Sequence, residues 1–85
     1  GHIIKFVDGP SEQYIEIVDG NEGTKIRLDA NSSDFSIESK GNTITNAKGS
    51  IELNSDQNIT IKANANIQIE ANGQLVLKGT TIDIN

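Results

Sequence analysis

Residues Asn58–Thr81, written in eights, read NITIKANA, NIQIEANG, QLVLKGTT. Apolar residues fall at the same two places in each octad: Ile59/Ile61, Ile67/Ile69 and Leu75/Leu77. The preceding octad, SIELNSDQ, puts Ile51/Leu53 in the same register. Small residues then continue on that parity, with Ala63 and Ala65, Ala71 and Gly73, Gly79 and Thr81. The other parity is polar (Asn58, Thr60, Lys62, Gln68, Glu70, Lys78 among others), with Val76 the exception. Side chains along a strand point alternately to opposite faces, so each octad predicts a short strand with one dry and one wet face. An eight-residue repeat built on that alternation predicts a stacked, all-β architecture.

Composition narrows the possibilities. The chain has 85 residues, 34% of them hydrophobic, which suffices for one small domain. Its aliphatics are mostly Ile, and with two Phe, one Tyr, no Trp and no Met little is left to fill a wide core. β-Branched side chains suit narrow packing between strands. No cysteine is present, so neither disulfides nor thiolate metal sites reinforce the fold. The net charge of −5 argues against a nucleic-acid surface, which needs clustered Lys and Arg. No apolar run approaches the roughly 20 residues of a membrane-spanning helix. So modest an apolar content, together with exposed strand edges, favours an oligomer over a lone chain.

Ahead of the octads the pattern is looser. Strands are expected at Ile3–Val7, Tyr14–Val18, Lys25–Leu28, Phe35–Glu38 and Thr43–Thr45. Their inward residues are read as Ile4/Phe6, Ile15/Ile17, Ile26/Leu28, Phe35/Ile37 and Ile44. Turns are expected at Asp8-Gly9-Pro10-Ser11, at Asp19–Gly23, at Asp29–Asp34 and at Lys40-Gly41-Asn42. A hairpin could join the second and third strands across the glycines of Asp19–Gly23, which accept positive φ. Residues 1–50 thus read as an irregular, linker-like β start, and residues 51–85 as the regular octad rod. The last apolar pair, Ile82/Ile84, follows Leu75/Leu77 after seven residues and breaks the register. No helical period appears anywhere. Asn72-Gly73 is a strong hairpin dipeptide, but a two-residue turn there would put Leu75 and Leu77 on the wrong face from Ile67 and Ile69; a longer loop would restore the register and give a meander instead.

These residues resemble a known family. The tandem x-I-x-I-x-A-x-A/G octad is similar to the C-terminal needle of central spike proteins in contractile injection machines. That family includes VgrG of type VI secretion, phage baseplate spikes and spikes of phage-tail-like toxin particles. The start, IIKFVDGPSEQYIEIVDGNEGTKIRLDA, looks like the segment that links their OB-fold domain to the needle. The chain lacks the V-x-G octad of one phage branch and the H-x-H tip motif. The resemblance implies an intertwined homotrimeric β-helix, or β-prism, three chains each contributing one octad per level. It implies a trimer core of Ile51, Leu53, Ile59, Ile61, Ile67, Ile69, Leu75 and Leu77. Ile82 and Ile84 would form the blunt end on which a PAAR-type tip protein docks. Baseplate or hub domains would lie N-terminal to this piece, and a target membrane would be met transiently. The setting implied is a virion tail or a secreted injection particle assembled in the bacterial cytoplasm. At ~4.8 Å per strand level the rod would be roughly 40 Å long.

No catalytic, cofactor or metal residue is expected. His2, the one histidine, reads as a tag remnant or a solvated residue, and the chain then as part of a longer protein. Asp8, Asp19 and Asp29 each sit at a strand end, where turn formation explains them better than calcium does. Glu52 and Glu70 alternate with Lys62 and Lys78 on the wet face, as solubility or cross-chain pairing requires. Two other function classes compete with the spike. One is a single-chain β-solenoid serving as a binding or surface-structuring module. The other is a self-assembling amyloid-like segment.

Overall fold

The computed structural model describes residues 1–85, which divide into two units, Gly1–Ser50 and Ile51–Asn85. The fold is all-β, without a helix, so no helix is long and apolar enough to cross a membrane.

The first unit is an antiparallel meander of four six-residue strands, β1 (Ile3–Asp8), β2 (Gln13–Val18), β3 (Thr24–Asp29) and β4 (Asp34–Ser39). The hairpin expected between the second and third strands is present, and β1–β2 and β3–β4 are hairpins too. Register follows from the alternation. Ile4, Ile17, Ile26 and Ile37 line up across the sheet, and Phe6, Ile15, Leu28 and Phe35 form a second row on the same face. Directly opposed β-branched and aromatic side chains are the pairs that stabilise a sheet.

The turns are held by aspartates. Asp19 Oδ1 accepts the amides of Gly23 (2.9 Å) and Asn21 (3.1 Å). Asp29 Oδ1 accepts those of Asn31 (3.0 Å) and Ser32 (3.3 Å). A short carboxylate can bond amides a few residues on and so replace a backbone turn. The residues with positive φ are Glu22 (56°) and Ser33 (61°), and no glycine has one, which corrects the reading of Gly20 and Gly23. Asp19 holds the amides of Asn21 and Gly23 through its side chain and that of Glu22 through its carbonyl, and Glu22 makes the left-handed step. His2 is not simply solvated, for its Nδ1 accepts the Gly20 amide at 3.0 Å.

Beyond β4 the backbone joins no strand ladder. The expected strand at Thr43–Thr45 joins no ladder, and Ile44 is exposed. The chain bends at Lys40-Gly41, Lys48-Gly49, Asp56-Gln57, Asn64-Ala65, Asn72-Gly73 and Thr80, a spacing of eight residues throughout. The octad of the sequence is therefore also a period of the backbone. At Asn72-Gly73 the chain bends without folding back into a hairpin. No octad of Ile51–Asn85 pairs with another octad of the same chain.

Candidate assembly interface

The two faces of the sheet differ in chemistry. Its polar face is the better covered one. Glu16 and Val18 are each 8% exposed there, the most buried residues of the chain. Glu16 is satisfied by Arg27, directly opposite on β3, whose Nη1 donates to Glu16 Oε2 at 2.9 Å. Arg27 also stacks on Tyr14, 3.8 Å from the ring centroid, and lies 3.6 Å from Asp29 Oδ2. The bond to Glu16 raises the Arg27 pKa further above its ordinary value. Lys25 and Glu38 make a looser contact at 4.0 Å. Glu16 is thus a buried carboxylate whose partner, Arg27, is half-buried.

Two carboxylates are held below the ordinary aspartate range by the turns they cap. For Asp19 the main cause is the Gly23 amide, and for Asp29 it is the Ser32 amide. Both act as turn formers. No group of three or more His, Cys, Asp or Glu side chains comes together as a metal site would require.

The apolar face has no cover within the unit. Phe6 is 75% exposed, and Ile4, Ile15, Ile17, Leu28, Phe35 and Ile37 are all exposed. An open apolar hollow of about 690 Å³ is lined by Phe6, Ile15, Leu28 and Phe35 among others. In the second unit the eight residues Ile51, Leu53, Ile59, Ile61, Ile67, Ile69, Leu75 and Leu77 are between 53% and 73% exposed. Ile82 is exposed as well, and Ile84 is the most exposed large apolar residue, at 88%. On the opposite parity Gln68 donates to Glu70, two residues on, which places this pair on one face as strand alternation demands. The structure therefore leaves each of the ten residues singled out at the sequence level solvent-accessible in the single chain, and it brings none of them into contact as a core.

The surface tells the same story. The chain presents 8505 Å² of accessible area, whereas a compact monomer of 9.1 kDa presents about 4,900 Å². The exposed apolar side chains named above belong to that surface and have no cover within the single chain. Along Ile51–Asn85 the backbone amides and carbonyls also have no partner strand within the single chain.

Counting back in eights from Leu75/Leu77 reaches Ile51/Leu53, then Thr43/Thr45, then Phe35/Ile37. β4 thus falls in the octad register, and Ile44, read as inward from the sequence, is exposed like the octad residues themselves. Bends at Lys40-Gly41 and Lys48-Gly49 place Thr43 and Thr45 in the positions that Ile51 and Leu53 hold one octad later. No family model matches this chain, and neither a curated protein nor a solved structure does.

Proposed function

We propose that this chain is the needle of a contractile injection machine's central spike, a homotrimeric, intertwined β-prism that pierces a cell envelope. The observation that carries this reading is the eight-residue bend period after β4, along residues 42–85, which pair with no strand of their own chain and whose large apolar side chains are all exposed. An octad is too short to close a solenoid coil by itself. Three chains, each giving one octad per level, close a triangle in which every strand pairs with strands of its neighbours. Ile51, Leu53, Ile59, Ile61, Ile67, Ile69, Leu75 and Leu77 then meet their copies at the axis.

The role is mechanical, with no catalytic step. A thin rod whose backbone hydrogen bonds run between all three chains resists buckling when a sheath drives it forward. Hub or baseplate domains precede it in the parent protein, and a PAAR-type tip protein covers Ile82 and Ile84 at the far end. The setting is a virion tail or secreted injection particle, and the membrane is encountered only in passing. The single-chain solenoid is the weaker reading, because coils stacked on one another would have to pair within the chain.

Electron microscopy tests the assignment. An antibody against residues 51–85 should label the baseplate end of sheath-bearing particles from the source cells. Particles that carry the protein nowhere, or label along the sheath, would remove the proposal.

A further inference from the structure

We infer that the open edge of β4 is the pairing site for residues 42–47 of a second copy of this chain, lying parallel and offset by one octad. The inference rests on the trimer reading and specifies where pairing within a chain hands over to pairing between chains.

β4 holds two roles at once. One edge pairs with β3, and the other is free. Phe35 and Ile37 stand eight residues before Thr43 and Thr45, which stand eight before Ile51 and Leu53. β4 is thus the last strand of the meander and the first member of the octad series. A free edge of six residues matches the six-residue segment between the bends at Lys40-Gly41 and Lys48-Gly49. That segment, NTITNA, is uncharged and carries β-branched Thr43, Ile44 and Thr45, which favour a strand.

The segment is kept off its own β4. The Lys40 amide donates to Gly23 O at 2.7 Å. Ser39 Oγ accepts the Gly41 amide at 3.2 Å and donates to Asn42 O at 3.3 Å. These bonds fix the exit of the chain from β4, and residues 42–47 pair with nothing in their own chain. Under threefold rotation about one axis, all three chains travel in the same sense at each level. A segment arriving from a neighbour is therefore parallel to β4, with residue i beside residue i+8. Ser36 then lies beside Ile44, and Glu38 beside Asn46, on the face opposite Phe35 and Ile37.

The chain has no native cysteine, so engineered pairs read this directly. Neighbouring strands are about 4.8 Å apart, within the Cα range a disulfide tolerates. Ser36→Cys combined with Ile44→Cys, and separately Glu38→Cys with Asn46→Cys, should give covalent dimers and trimers with oxidised glutathione on a non-reducing denaturing gel. Ser36→Cys with Thr45→Cys, on opposite faces, should give far less. Native mass is measured on each reduced protein in parallel. Trimers that form no interchain disulfide with either pair, or only disulfides within one chain, would overturn the handover while leaving the trimer intact. A wild-type chain that is monomeric would overturn both.

Discussion

Glu16 and Arg27 face each other across β2 and β3, joined by a 2.9 Å hydrogen bond, and the carboxylate is nearly shut off from water. Removing one member of a covered ion pair strands the other, whereas replacing both with apolar side chains is often neutral or stabilising. Arg27→Met alone should therefore lower the thermal midpoint of the sheet more than Glu16→Met and Arg27→Met together. Circular dichroism melts of the three variants read the ordering, and equal losses would show that the pair does not act as a unit.

Acid should weaken the turns next. Asp19 and Asp29 have folded pKa values below the ordinary value, chiefly through the Gly23 and Ser32 amides respectively. Lowered carboxylate pKa values mean that the folded state binds protons more weakly than the unfolded one. Their contribution is complete above the unfolded value of about 3.9 and is lost as pH falls through the folded values. Melting should be flat with respect to these two groups from pH 7 to about 5 and should fall below about 4. Asp19→Asn with Asp29→Asn should flatten that acid limb, and an unchanged acid limb would contradict the assigned cause.

Parity along the octads is open to a paired substitution. Ile67→Asp should abolish the trimer, because Ile→Ala at a buried site already costs ~2–5 kcal/mol and threefold symmetry repeats the lesion in each chain. Gln68→Asp should assemble normally, and charge reversal at Lys62 or Lys78 should change stability by only ~0–1 kcal/mol. Sedimentation velocity distinguishes the outcomes. Equal tolerance at Ile67 and Gln68 would mean that the dry face has been misassigned.

Ile82 and Ile84 are exposed apolar side chains in the single chain, and in the proposed needle they need a cover. Calorimetric titration of the assembled needle with PAAR proteins encoded by the same machine should saturate at one PAAR chain per three needle chains. Ile84→Asp should abolish that binding while leaving the trimer intact. Absence of binding to all such proteins would end the tip assignment.

Much of the local structure was legible in the sequence, for reasons that can be named. Ile15/Ile17, Ile26/Leu28 and Phe35/Ile37 alternate with polar residues, so their strands and shared face follow from the period of two. Glu16 and Arg27 were not legible as a pair, because what sets them opposite is the length of the turn between β2 and β3. That turn owes its shape to Asp19 and to a left-handed Glu22, where a glycine was expected. Ile44 was read as part of a strand, but residues 43–45 join no ladder; the backbone bends place Thr43 and Thr45 where Ile51 and Leu53 stand one octad later. The apolar octads stood out plainly, and in the single chain they stay uncovered.

The central claim is that three chains complete what one leaves open, and native mass spectrometry of the purified chain tests it most directly. The account predicts a single dominant species at three times the 9.1 kDa chain mass. A species at the mass of one chain, with no trimer at any concentration, would contradict it.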